Sequence, residues 1–382
     1  MKIAALGDAH VGRASYPISS QGVNVRERDF EVSFQSSIDL ILEQNPDLIL
    51  FLGDIFDFPR PSFRSFRVVQ RELFKIRKAK IPLVGISGNH DTPRLGGTES
   101  PYAALHDVFP EFGLIYRQSY EYFDFPGVRV HGVPQMLNEQ DTIHALTQAS
   151  SNRSLEMINL VITHPRVRQL APSHADINEI NLDAETIGGD FALLGHYHFN
   201  ARVKENMWYV GSTDTFSFGD NPEIEKGIGV LDTDSGQFVH LPISGRRKLV
   251  DLGVVSAFGL AAKEIEELIF RRVEGTDSGS VVRLLLDGVD PGAFRLVDLE
   301  TVKEMTRHLL YFKLEPQYLS AAVPGELPAL ETMPAKWARF VDTQDLEAEK
   351  KPLVISSNRR KPSSKTANSE VAFSIVPNEL SN

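Results

Sequence analysis

Five apolar runs in this chain stop at the same kind of residue, and that repetition constrains the fold more than any other feature. The run 81–87 (IPLVGIS) breaks into Gly88-Asn89-His90-Asp91. Lys2–Gly7 ends at Asp8-Ala9-His10, and Leu48–Leu52 ends at Gly53-Asp54, with Asp57 close behind. Asn159–Thr163 ends at His164, and Phe191–Leu194 at Gly195-His196-Tyr197-His198. A strand that is apolar on both faces is covered on both faces, so only its tip meets solvent. Open α/β sheets gather their ligand-binding groups outside the carboxyl ends of such strands. Between the runs, Arg26–Glu43 carries Phe30, Phe34, Ile38 and Ile41 at helical spacing. Phe66–Ala79, Tyr102–Phe109 and Ile143–Ala149 also read as helices. Glu121–Phe125 and Val128–Val133 read as a hairpin around Pro126-Gly127. Met207–Val210, Ile228–Asp232 and Phe238–Ile243 read as further strands. The expected fold is a layered α/β sandwich, with two mixed sheets inside and helices outside.

The tips hold Asp8, His10, Asp54, Asn89, His164, His196 and His198. Carboxylate, imidazole and amide-oxygen donors without thiolate suit Mn, Fe, Co or Zn, and five- or six-coordinate sites suit Mn most. Seven ligands exceed the needs of one tetrahedral zinc. They match two divalent cations sharing one carboxylate, and Asp54, on an expected central strand, is the natural bridge. Two such cations, about 3.5–4 Å apart, clamp both the attacking and the leaving oxygens of a phosphoester and activate a water. His90 directly follows Asn89, so its ring is expected beside the metals, as a general acid and stabiliser of the transition state. Asp57 and Asp91 read equally well as groups that orient His90 and as helix caps. A lone histidine is more often structural than a ligand. His106, His131, His144, His174, His240 and His308 take that structural reading.

From Lys248 the texture changes. Leu260–Val273 is an amphipathic helix, Ser280–Leu286 a strand, Leu299–Met305 a helix and Leu309–Leu314 a strand, with no ligand cluster among them. The expected division is 1–247 for the sandwich, 248–320 for a small α+β domain, and 321–382 for a Pro-rich linker and tail. A short helix is expected at 333–346, and the basic stretch 356–369 reads as disordered. The chain of 382 residues has no cysteine, which excludes disulfides and thiolate metal sites and fits a reducing, cytoplasmic setting. No run approaches the ~20 apolar residues that cross a bilayer, and the N-terminus is too short for a secretory signal, so no membrane association is expected. The net charge of −11 does not advertise a nucleic-acid binder. Divalent metals or a local basic groove can still hold phosphates on an acidic protein.

Asp8-Ala9-His10, Gly53-Asp54-x-x-Asp57, Gly88-Asn89-His90-Asp91, His164 and Gly195-His196-x-His198 resemble the motif set of the calcineurin-like metallophosphoesterases, over about residues 1–245. A narrower resemblance is to their DNA double-strand-break repair exonuclease branch, which comprises a bacterial exonuclease subunit and its archaeal and eukaryotic relatives. It is carried by Arg60-Pro61-Ser62 after Asp57, by His131-Gly132-Val133-Pro134, by Tyr209–Ser212 with Phe216–Asp220 and Lys226-Gly227, and by Val281–Gly288 with Val289-Asp290-Pro291. The resemblance implies a four-layer sandwich with a DNA-capping domain at 248–320. It implies manganese-dependent 3′→5′ exonuclease and endonuclease action on double- and single-stranded DNA. A homodimer, a coiled-coil SMC-like ATPase partner and, in a bacterium, a place at the nucleoid go with it.

Under that resemblance Phe63, Phe66, Val69 and Leu73 are candidates for a dimer face, with a face of the core as the favoured rival reading, and 333–346 reads equally as the ATPase anchor and as a helix packed on its own domain. Arg60 and Arg94 are candidates to flank a phosphate groove, out of a group with Arg13, Arg64, Arg166 and Arg168. Two departures stand out: Pro165 where glutamine is common, and Thr215 where arginine is often seen. Neither falls on a ligand, though both bear on DNA grip. The rival substrates for such a centre are phosphoproteins and cyclic nucleotides, which need no capping domain.

Overall fold

The computed structural model describes residues 1–94, 97–170, 180–220, 224–319 and 373–375. Its first sheet runs in the order Gln237–Pro242, Gly227–Asp232, Lys2–Leu6, Leu48–Phe51, Leu83–Ile86 and Gly113–Ile115. The last four are mutually parallel, Gly227–Asp232 pairs antiparallel with Lys2–Leu6, and Gln237–Pro242 pairs antiparallel with Gly227–Asp232. The second sheet runs Ala201–Lys204, Met207–Tyr209, Phe191–Leu194, Ile158–Thr163, Val128–Val133 and Glu121–Phe125. Its inner four strands are parallel and its two edges antiparallel.

The alternation of side chains along each strand builds the layers. Ile3, Ala5, Leu48, Leu50, Val84 and Ile86 point one way and pack on Val128, Val130, Leu160, Ile162, Leu193 and Trp208 of the second sheet. Ala4, Leu6, Ile49 and Phe51 point the other way, onto Phe34, Ile38 and Ile41 of helix Val25–Glu43 and Val69, Leu73 and Ile76 of helix Phe63–Ala79. The far face of the second sheet, with Val161, Leu194 and Tyr209, is covered by Ala145 and Leu146 of helix Glu139–Ser151. The result is the expected four-layer sandwich.

Local chemistry sets the helix starts. The Asn24 side chain accepts from the amides of Arg26 and Glu27. The Ser62 hydroxyl accepts from the Ser65 amide, so the second helix begins at Phe63, earlier than its apolar periodicity suggests. Val69 and Leu73 lie fully in the core, Phe66 packs partly against it, and Phe63 alone of the four candidate dimer residues is largely exposed, at 91%. The expected dimer face is therefore mostly a core face, because the i, i+4 stripe points to the first sheet.

Leu249–Ser256, Val281–Val289 and Tyr311–Tyr318 form a separate parallel sheet, with Phe373–Ile375 antiparallel at its edge. It has its own core, in which Ile265 and Ile269 of helix Ala262–Val273 meet Val282, Leu284 and Leu314. Leu249, Val281 and Tyr311 rest against Tyr16, Ile18 and Phe218 of the sandwich. The Arg247 guanidinium donates to Asp29 at 2.7 Å across the same junction. The expected helix 333–346, the basic stretch 356–369 and His174 lie outside the described residues. Among the described residues no helix is long and apolar enough to cross a membrane.

A buried ion pair ties the first helix to the loop that carries Asp214. The Arg26 guanidinium, 1% exposed, donates to Asp214 at 3.1 Å and to Asp29 at 2.9 Å, and the Ser33 hydroxyl donates to Asp214. Removing one partner of such a pair strands the other charge in the interior. Arg26→Met is expected to cost about 3–5 kcal/mol of stability, read as a drop in the urea midpoint with little change in slope.

Candidate metal centre

All five apolar strands release their polar tips into one cleft between the two sheets. Asp8, His10, Asp54 and Asn89 come from the first sheet and His164, His196 and His198 from the second. The turns that achieve this are strained. Asp8, His10, Asp54 and His196 all have positive φ, at 51°, 44°, 50° and 94°. Such conformations cost non-glycine residues about 1–3 kcal/mol each, and they persist where the surroundings over-determine them. The glycines before the tips permit close approach. A Cβ on Gly88 would collide with the Asp54 carboxylate, and one on Gly195 with the Leu52 carbonyl and the His164 ring.

The donor atoms fall into two sets that meet at Asp54. In the first, His10 Nε2 lies 3.2 Å from His198 Nε2 and 4.0 Å from Asp54 Oδ2, and Asp8, His10 and His198 cluster together. In the second, His164 Nε2 lies 3.2 Å from Asp54 Oδ2, 3.2 Å from Asn89 Oδ1 and 3.8 Å from Asp8 Oδ1. His196 Nδ1 lies 3.1 Å from the same Asn89 oxygen. His164 Nδ1 donates to the Leu52 carbonyl at 2.6 Å. With Nδ1 so engaged, His164 turns Nε2 toward carboxylate and amide oxygens, which are acceptors. Acceptors converging without a donor call for a cation.

The titration behaviour agrees. Burial opposes charge on His164, but Asp54 and Asp8 outweigh it and lift the imidazole to about 9, so a proton stands where a metal would. Burial likewise resists the charge on Asp54, yet His164 keeps that carboxyl well below the ordinary range. Burial raises Asp8 to about 7, with Asp54 adding to the effect. Burial lowers His10 and His198, leaving both imidazoles neutral and able to donate a lone pair. The residues fit a site for divalent cations, with Asp54 able to serve both sets.

His90 sits beside this cluster. Its amide donates to Asp54 Oδ1 at 2.7 Å and its Nδ1 donates to the Asp57 carbonyl at 2.8 Å. Its ring stands edge-on to His10, with centroids 4.7 Å apart. Asp57 thus orients two histidines, since its carboxylate also approaches His10 Nδ1 at 3.2 Å. Asp91 does something else: its buried carboxylate accepts from the amides of Ile55, Phe56 and Gly88. It clamps the Asp54 turn to the Asn89 turn, and neither aspartate caps a helix. His131 is structural, as expected, and bonds Tyr120 and Asn159.

Two contributors were quoted above only as motif residues, with no role at the site. The Phe216 ring covers His198 at 4.4 Å and His10 at 4.7 Å, with the Arg13 guanidinium stacked on it at 3.2 Å. Buried Lys226 donates to the His198 carbonyl and to Asp220, fixing the His198 turn. Two phenylalanines, Phe216 and Phe218, in an otherwise polar stretch after Gly211 were the available signal for the first. Of the candidate DNA arginines, Arg13 pairs with Asp57, Arg64 with Glu31, and Arg168 with Glu139, while Arg166 is buried near Tyr197. Among the described residues Arg60 and Arg94 show no carboxylate partner.

The calcineurin-like phosphoesterase family model matches residues 1–200, and the chain belongs to that family. Membership makes it a metal-dependent hydrolase. The DNA double-strand break repair protein Mre11 of Saccharolobus solfataricus is 25% identical over 207 residues, covering 54% of this chain and 51% of that protein. The protein of the same name from Methanococcus maripaludis is 24% identical over 267 residues, covering 66% and 69%. The match thus spans about half the length of the first of these relatives. A solved structure, TT1561 of Thermus thermophilus, is 13% identical with a TM-score of 0.39, covering 63% of this chain and 98% of its own.

Cation binding is expected to stabilise the fold, by about 2.7 kcal/mol at a hundredfold excess over Kd. Added Mn should raise the melting temperature, and Asp54→Asn should abolish most of the rise. Because Asp8 keeps its proton up to about pH 7, binding should release protons and weaken as the pH falls through that value. Calorimetry in buffers of different ionisation enthalpy reads this directly.

Proposed function

We propose that this chain is a metal-dependent DNA nuclease of double-strand-break repair, with 3′→5′ exonuclease and endonuclease action. The observation that carries the reading is the meeting of two donor sets at one carboxylate. In this reading Asp8, His10, Asp54 and His198 hold one divalent cation, and Asp54, Asn89, His164 and His196 hold the second, with Mn the best match to the donors. When bound, such a pair supplies charge neutralisation and nucleophile activation for phosphodiester hydrolysis.

The chain's own residues do the rest. The Asp57 carbonyl holds His90 Nδ1–H, which leaves Nε2 as the ring atom that carries the mobile proton. From there it neutralises charge on the phosphoryl oxygens and protonates the leaving alkoxide. His90, its side chain 32% exposed, faces incoming substrate, while His10 and the carboxylates stay buried behind it. Phe216 keeps water from one side of the cluster and so strengthens the electrostatics within it.

The DNA substrate is supported by the two relatives, both DNA double-strand break repair proteins by name. We read residues 1–247 as the nuclease domain and 248–320 as a cap over the DNA path. A coiled-coil SMC-like ATPase, a second copy of the chain and DNA in the cytoplasm or nucleoid are the partners and setting this reading implies. The rival is a phosphoprotein phosphatase or cyclic-nucleotide phosphodiesterase built on the same centre. Incubation with Mn separates them: linear DNA should be degraded, while phosphopeptide and cyclic nucleotide should persist. The reverse pattern would overturn the nuclease reading. His90→Asn should bind the cations as before and lose roughly 10²–10⁴-fold in turnover, and parental rates in that variant would remove the general-acid role.

A further inference from the structure

Resting on the nuclease reading, we infer that a cleft beside the metal centre takes one unpaired nucleotide of a DNA strand. Its walls are Phe58, Pro59 and Pro93, and its rim is Arg60, Arg94 and Thr98. The base stacks on Phe58 and the phosphate sits between the two guanidinium groups.

Three observations converge here. First, the cleft is a hollow of about 360 Å³ whose walls are apolar. Phe58 is 57% exposed in it, an aromatic face left to water beside charged groups. Second, on a chain of net charge −11 the lining contains two arginines and no acid. Arg60 donates to Thr98 Oγ1 at 2.8 Å, and among the described residues neither guanidinium has a carboxylate partner. The local charge therefore complements an anion. Third, the walls are direct continuations of the metal-site turns. Phe58 follows Asp57, and Pro93 comes three residues after His90, at most about 11 Å of chain. Arg94 also lines a second hollow of about 250 Å³ with Asn89, Thr92, Gln135 and Met136. The two hollows thus share one arginine and lead from a candidate metal ligand to the exposed ring.

A π-face next to cations is the chemistry that recognises single-stranded nucleic acid without regard to sequence. Bases stacked inside a duplex cannot reach Phe58, so the cleft selects a frayed or single strand. It would hold the strand a few nucleotides from the reacting phosphate.

The test is binding of the full chain to a cleavage-resistant phosphorothioate oligonucleotide carrying 2-aminopurine, against a blunt duplex of equal length. Phe58→Ala should weaken single-strand binding roughly tenfold, the scale of one lost base stack, with a smaller effect on the duplex. Phe58→Trp should restore it. Arg60→Ala with Arg94→Ala should lower the slope of log K against log salt by about 0.7 for each lost phosphate contact. Equal losses on both DNA forms, or none, would overturn the cleft. Phe58-dependent binding of an acidic peptide in place of the oligonucleotide would overturn its occupant. If the unaltered chain binds neither DNA form, the nuclease reading itself falls, and that outcome is distinct from the others.

Discussion

The centre depends on the charge of Asp54. That carboxylate lies at the end of a central strand and is held in a left-handed turn. It accepts the His90 amide, faces His164 at 3.2 Å and reaches His10 at 4.0 Å. Remove its charge and His164 loses the main reason to be protonated without metal, while both donor sets lose their common member. Asp91 is the structural counterpart, because its three backbone bonds hold the Asp54 turn against the Asn89 turn. The cost of four positive-φ ligand positions is borne by the apolar interior between the sheets, where Ile3, Leu50, Ile86, Leu160 and Ile162 are all fully buried.

One loop connects this centre to the smaller sheet. Phe216 lies on His10 and His198, while two residues on Phe218 packs with Tyr16 and lies under the Arg283 guanidinium. Lys226 and Asp220 pin the same loop to the His198 turn, and Asp214 anchors it to Arg26 inside the sandwich. The candidate metal ligands and the small sheet therefore share one support, the loop that carries Asp214, Phe216 and Phe218.

Much of this was legible from residues alone, for physical reasons. Runs such as Leu48–Leu52 are apolar on every position because both faces are covered, and a polar tip on such a run has few explanations but a site. The seven donors and His90 were visible as tips, and the cleft brings all eight together. Strand direction in the small sheet was not legible, since short alternating segments pair either way. Strands as short as Gly113–Ile115 and Ala201–Lys204 carry too few residues to show a period. The split between Asp57 and Asp91 was also hidden: both follow a ligand turn, and only three-dimensional packing decides which carboxylate meets an imidazole and which meets backbone amides. For Val69 and Leu73 both a core face and a dimer face were open, because a helix stripe looks the same whether it covers its own sheet or a neighbour, and their burial bears out the core reading.

The two oxygens of Asp8 both accept the His196 amide, at 3.0 Å, across 188 positions of chain. Closing so long a loop comes late in folding, after the entropy of the intervening polypeptide has been overcome. A chain still emerging from the ribosome has its aspartates and its first histidines long before it has His196 and His198. The full set of donors therefore exists only once the chain has passed the strand Phe191–Leu194, which carries His196 and His198 at its end.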